Sequence, residues 1–317
     1  MTNSCSFVRI TLVLLSIWLL AAVLVLPGCG RREAQETKSG GFPLLITDDL
    51  GRSVKIAAEP EKIVSLAPAI TEILFALGLD EKVAGVTEYC DYPPKAKDKP
   101  KVGGFSTPNT ELVAAVKPDL VLASTLQADY IRQMEGIGLT VVALEAKDLP
   151  GVLEKIKLVG RLTGKKGPAE ELAGSLQRRI DGVAEKTKDL PGERRPLVLF
   201  EIWPDPLTTG GAQSFLHNLI VLAGGRNVAG GIEKDWVTLN PEAVLAANPD
   251  VIIYTHHGQS RWTAQSIAAR PGWENIRAVK EGRIGSIEDE NLVVRAGPRL
   301  VEGLEQTARL IHPELFN

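Results

Sequence analysis

The chain has 317 residues, 44% of them hydrophobic and 24% charged, a composition that fits a folded globular protein and excludes a disordered one. A formal net charge of −3, with no Lys/Arg run beyond pairs such as Lys165-Lys166, argues against nucleic acid as a partner. The length is enough for two domains of ordinary size.

The first 30 residues read as processing sequence rather than fold. Arg9 is their only charge, and Ile10–Leu26 is an almost unbroken apolar run of 17 residues. That is short for spanning a bilayer and suits the apolar core of a signal peptide. The run ends in Leu26-Pro27-Gly28-Cys29, which resembles the bacterial lipoprotein box, with Pro27 where a small or aliphatic residue is usual. The resemblance implies cleavage before Cys29 and a lipid on that cysteine, so that 1–28 is a signal peptide and 29–43 a lipid-attached tether. An uncleaved signal anchor is the alternative. Either way the rest of the chain is expected outside the cytoplasm, held to a bacterial membrane, in the periplasm or on the outer face. The polar stretch Arg31–Gly41 has the composition of a flexible linker. Cys5 and Cys29 lie in this region. Cys90 is left without a partner for an internal disulfide and reads as a packing residue.

From Leu44 onward short apolar runs alternate with helical patterns. Strands are expected at Ile63–Leu66, Val83–Thr87, Leu120–Ala123 and Thr140–Leu144. Helices are expected over Thr71–Leu77, stopped by Gly78, then after Asn109, and near Ala128–Glu135. Such alternation implies a parallel sheet covered on both faces, here a first lobe over 44–165. Gly160–Lys165 resembles a phosphate loop but is one residue short and has no Ser or Thr after Lys165, so it reads as a turn between helices. Pro168–Lys188 carries Leu172, Leu176, Ile180 and Val183 on one face. About 21 helical residues span roughly 31 Å, enough to join two lobes, so 166–190 is read as a linking helix. A single stiff bridge predicts modest opening of any cleft. The second lobe, 191–317, has expected strands at Leu197–Ile202, Val251–Tyr254 and Arg283–Ile287 and helices at Ser214–Ala223 and Pro298–Ile311. Trp203, Trp262 and Trp273 fall in its loops. The fold class is α/β: two parallel-sheet lobes joined by one long helix.

A pattern occurs twice, 131 positions apart. Phe105, Asn109, Glu111, Pro118, Asp119 and the run Leu120–Ala123 match Trp236, Asn240, Glu242, Pro249, Asp250 and Val251–Tyr254 without a gap. Asn109 and Asn240 suit a helix N-cap, and Pro241 then falls at the first helical position. Glu111 and Glu242 belong in the first turn, where ordinary helix-dipole stabilisation and a functional pair of carboxylates are both open readings. Two similar lobes facing each other make a cleft. Tyr89, Phe105, Trp203 and Trp236 lie in loops or just before a helix, where they either plug lobe edges or line that cleft for a large, flat, partly apolar ligand. His256 and His257 follow a strand, beyond the end where open α/β sheets bind ligands, and read either as loop residues or as ligand contacts. Esterase, zinc-protease, Cys-x-x-Cys and dinucleotide signatures are missing. No catalytic residue, protein-held metal or resident cofactor is assigned, and an extracytoplasmic hydrolase lacks its nucleophile.

Tyr89-Cys90-Asp91-Tyr92-Pro93-Pro94, Lys101-Val102-Gly103-Gly104-Phe105, Glu111 with Lys117-Pro118-Asp119-Leu120-Val121, and Arg295-Ala296-Gly297-Pro298-Arg299 resemble the helical-backbone class of ABC-transporter substrate-binding proteins. Within it the chain is most similar to the cobalamin-binding branch. The resemblance covers roughly 44–317 and implies a monomer that holds cobalamin, a corrinoid, between its lobes and delivers it to an ABC permease dimer. Tyr89, Phe105 and Trp236 match cleft aromatics of that branch. Phe105 replaces a tryptophan of the pattern, and Ser124 stands where another would be. Glu111 and Glu242 match lobe-tip glutamates that pair with permease arginines. The expected ligand-binding set is Tyr89, Phe105, Trp236, Trp203, His256 and Arg295. The rival cargo is a ferric siderophore or haem, engaging Arg295, Arg299 or Arg261 for anionic groups, or Tyr89 and His256/His257 for iron.

Overall fold

The computed structural model describes residues 41–255 and 262–316. The signal segment, Cys29, His256, His257 and Arg261 lie outside the described residues. A hairpin opens the fold, β1 (Leu44–Thr47) pairing antiparallel with β2 (Ser53–Ile56). Then come β3 (Ile63–Ser65), α1 (Pro68–Ala76), β4 (Val83–Val86), α2 (Thr110–Ala115), β5 (Leu120–Ser124), α3 (Ala128–Gly136), β6 (Val141–Leu144) and α4 (Leu149–Leu162). The long helix α5 is Lys166–Thr187, starting where the expected linking segment 166–190 starts and ending three residues short of it. After it follow β7 (Leu197–Glu201), β8 (Trp203–Pro204), β9 (Leu207–Gly210), α6 (Phe215–Leu222), β10 (Arg226–Asn227), β11 (Trp236–Thr238), α7 (Pro241–Ala247) and β12 (Val251–Thr255). The chain ends with α8 (Ala264–Ala268), α9 (Arg277–Lys280), β13 (Ile284–Ile287), α10 (Asn291–Val294) and α11 (Leu300–Ile311).

The internal repeat is a structural repeat. The first lobe's parallel sheet runs β4-β3-β5-β6 and the second lobe's runs β10-β7-β12-β13, the same order with the first strand flanked on either side by its successors. Asn109 caps α2 by accepting the Leu112 amide at 3.0 Å, and Asn240 caps α7 by accepting the Ala243 amide at 2.7 Å. Asp119 accepts the Glu61 and Lys62 amides ahead of β3, and Asp250 accepts the Leu197 amide at the start of β7. Each aspartate thus tethers the strand beside its own. In both copies the helix ends by the residue before a proline, Pro118 and Pro249, where a right-handed helical conformation is disfavoured. Lys117 and Asn248, 131 positions apart, take left-handed backbone at φ 53° and 49° and end their helices there.

One hydrophobic cluster runs through both lobes. It takes in Ile63, Leu74 and Leu122 from the first, Ala169, Ala173, Leu176, Ile180 and Val183 from α5, and Val198, Phe200, Leu304 and Ile311 from the second. α4 lies so close to α5 that a Cβ on Gly160 would overlap the Ala169 methyl. On the other side Arg179 of α5 holds Glu305 of α11 through two bonds of 2.8 Å. Phe42–Asn317 forms one compact unit. Two elements differ from expectation. Trp273, read as a loop aromatic, is a core side chain at 1% exposure, with the Arg270 guanidinium 4.6 Å over its ring. β8, β9 and β11 form a separate antiparallel sheet that the sequence reading treated as loops. No helix among the described residues is long and apolar enough to cross a membrane.

Candidate functional site

The carboxyl ends of β3, β5 and β6 open into a cavity of about 810 Å³ whose opposite wall comes from the second lobe. That is the end of a parallel sheet at which ligands bind, and the volume lies high in the ~300–1,000 Å³ range of small-molecule sites. The first lobe contributes Ile70, Ile73, Tyr89, Phe105 and Leu126; the second contributes Phe215, Trp236 and Val294. The surface is mostly apolar with a sparse polar set, including Ser106, Ser124 and Gln213.

Local structure explains why these rings point inward. Ser124 ends β5 and starts a short turn with a capping box, in which the buried Gln127 accepts the Ser124 amide at 2.9 Å. The Gln127 amide group then donates to the carbonyls of Leu66 at 2.9 Å and Phe105 at 2.5 Å, so one side chain ties the ends of β3 and β5 to the Phe105 loop. Across the cavity Ser214 caps α6 by accepting the His217 amide, which places Phe215 in the first turn. Phe215 meets Trp236 edge to face, with centroids 6.0 Å apart and planes at 84°, a favoured aromatic geometry. Trp236 is held by β11 pairing with β9. Phe215 and Gln127 were not singled out in the sequence. Gln127 had a readable signal in Ser124-x-x-Gln127, whereas Phe215 looked like one more apolar helix residue.

Of the expected ligand-binding residues, Tyr89, Phe105, Trp236 and Arg295 come together on the cavity wall. Trp203 does not line it; its indole N–H donates to the Asp205 carbonyl at 2.8 Å in the turn after β8. Cys90 is buried, its sulfur 3.1 Å from the hydroxyls of both Thr71 and Thr87, consistent with packing.

A model of the periplasmic binding protein family matches residues 63–290. The chain belongs to the periplasmic binding protein family. Along 95% of its length it is 36% identical to an uncharacterized ABC transporter substrate-binding lipoprotein, YvrC, of Bacillus subtilis, covering 98% of that protein. It is 27% identical to a cobalamin-binding protein of Halobacterium salinarum, over 96% of this chain and 84% of that one. Among solved structures it resembles the periplasmic haem-binding protein RhuT from Roseiflexus, with a TM-score of 0.70, 27% identity, and coverage of 80% of this chain and 98% of that one. The periplasmic binding protein described here is an ABC-transporter substrate-binding protein and not an enzyme.

The binding protein's cleft carries little free positive charge. Lys155 pairs with Asp49 at 2.6 Å, and Arg295 pairs with Asp91 at 2.6 Å and approaches Glu72 at 3.5 Å. Among the described residues only Lys147 is a lining cation without an ionic partner, and Glu145 and Asp235 line the wall as well. Burial pushes the Asp91 carboxyl up, but the hydrogen bond and charge of Arg295 outweigh it and hold Asp91 below the usual carboxylate range. No group of three or more His, Cys, Asp or Glu among the described residues is placed to hold a metal ion. Glu111 and Glu242 occupy the first turns of α2 and α7, exposed and without ion pairs among the described residues.

Proposed function

We propose that this protein captures a corrinoid, cobalamin in the first instance, between its lobes and delivers it to an ABC permease. The observation that carries the reading is the cleft lining. Tyr89, Phe105, Phe215 and Trp236 surround about 810 Å³ of mostly apolar space, in which the cations other than Lys147 are already paired. Such a site favours a large flat ligand whose periphery is uncharged and amide-rich, and it disfavours a polyanion, which needs free guanidinium or ammonium groups. The full-length similarity to a cobalamin-binding protein supports the same cargo. Haem is the second reading. It is favoured by the likeness to RhuT and by Tyr89, a phenol 61% exposed at the cleft and a chemically competent iron ligand.

Calorimetric titration of the full chain in detergent with cyanocobalamin, haem and ferric siderophores tests the cargo. One-to-one binding of cyanocobalamin alone is expected; binding of haem without cyanocobalamin refutes the corrinoid reading. Glu111 and Glu242 are proposed as the permease contacts, because equivalent first turns present them at matched positions on the two lobes. Charge reversal of both, Glu111→Lys with Glu242→Lys, is expected to abolish uptake into cells while leaving ligand affinity intact, and weakened affinity would sink the docking role. The protein is further proposed to be monomeric and anchored through lipid on Cys29, which metabolic labelling with a fatty-acid analogue tests by loss of label in Cys29→Ala.

A further inference from the structure

A charge network crosses between the lobes beneath the cavity. Glu72, on α1, is 3% exposed and does not line the cavity. Its carboxylate accepts from Arg299 side-on, Nε to Oε2 at 3.1 Å and Nη2 to Oε1 at 2.8 Å, and from Arg295 Nη1 at 3.5 Å. Both arginines belong to the segment joining α10 to α11, so each of these bonds runs from the first lobe to the second. Arg295 continues to Asp91 at 2.6 Å and to the Tyr89 carbonyl at 3.1 Å. Arg299 lies 3.7 Å over the Tyr92 ring and reaches Asp289 at 2.6 Å.

Backbone geometry points the same way. A Cβ on Gly297 would stand 3.3 Å from both the Ala69 Cα and Glu72 Oε2, so this segment lies close against α1 and an added methyl there would need a neighbour to give by a few tenths of an ångström. A carboxylate taken this far from water needs nearly complete compensation, and removing its charge leaves its guanidinium partners short of one. The two arginines therefore register one lobe on the other and hold the Tyr89–Tyr92 loop, whose first ring lines the cleft.

We propose that Glu72 is a positioning residue for ligand binding: through Arg295 and Arg299 it sets the spacing of the lobes and fixes the loop that carries Tyr89. The link to binding rests on the cleft being the ligand site; the spacing does not. Leu112 and Ala243 occupy matched, exposed positions in the first turns of α2 and α7, one in each lobe, so spin labels on Leu112→Cys and Ala243→Cys in the full chain read lobe spacing without any ligand. Glu72→Gln is expected to lengthen and broaden that distance distribution. It is also expected to release cyanocobalamin roughly tenfold faster, equivalent to ~1.4 kcal/mol. Asp91→Asn removes one inter-lobe bond but leaves the Glu72–Arg299 pair in place, so it should speed release with a smaller change in spacing than Glu72→Gln. Where Glu72→Gln does not fold, Arg299→Lys keeps the charge, loses the side-on pair and carries the same expectation. An unchanged label-to-label distance in the folded variant overturns the proposal, and a changed distance with unchanged release overturns its link to binding. Failure of the native chain to bind cyanocobalamin sinks the cargo reading instead, and the spin-label distances still decide whether Glu72 positions the lobes.

Discussion

Trp236→Ala removes the largest ring from the cleft, and the structure sets the size of the effect. The side chain is 44% exposed in the ligand-free chain. With about 150–250 Å² on a tryptophan side chain, a ligand that covers the ring takes about 70–110 Å² out of water. At about 25 cal/mol per Å² that is about 1.7–2.8 kcal/mol of binding free energy, or a dissociation constant roughly 15- to 100-fold higher in the variant. Phe215 packs edge-on against Trp236 and can turn its own face to the ligand once the indole is gone, which favours the lower end. Trp236→Phe keeps a ring and should fall between the two. Calorimetric titration with cyanocobalamin measures all three proteins. Affinity within twofold of native for Trp236→Ala would refute the reasoning, because the ring would then lie outside the ligand's footprint.

Three further outcomes follow from packing and charge. Asn109→Ala and Asn240→Ala each lose a helix cap, expected to lower stability by ~1 kcal/mol. Matched urea midpoints would show that the two copies do equal structural work. Gly160→Ala puts a methyl against Ala169 and within 2.9 Å of the Lys165 carbonyl, a backbone contact with little room to yield; a loss of about 1–3 kcal/mol in chemical denaturation is expected. Glu305 is held below its usual range by its hydrogen bond with Arg179, with burial opposing, and Asp91 is also lowered. A carboxyl lowered by folding stabilises the protein above its unfolded value and loses that contribution as pH falls through its folded value. Melting temperature should therefore be level near neutrality and fall below about pH 4, less steeply in Asp91→Asn and Glu305→Gln.

The parts of the fold legible in the sequence are those with local signals. Asn109 and Asn240 announced helix starts, Gly78 announced a stop, and the repeated spacing pointed to two similar lobes, whose sheets share one strand order. The β11-β9-β8 sheet was not legible, because its strands have two to four residues, include Pro204 and Gly210, and draw their order from partners far along the chain. Nor was the pairing of Glu72 with Arg299, separated by 227 positions. The trace available was one carboxylate inside the apolar helix Pro68–Ala76, between Ile70 and Ile73. Trp203 and Phe215 show the limit for aromatics: which ring faces the cleft depends on strand pairing and helix phase, not on lying in a loop.

The hydrophobic cluster that continues from the first sheet through α5 into the second has a mechanical consequence. Callipers with a welded joint measure; they do not grip. That continuous core predicts a cleft of nearly fixed width, which would admit a ligand by size rather than by closing on it. On the proposed delivery to a permease, the push that frees the ligand would come from outside, through the matched first turns that carry Glu111 and Glu242.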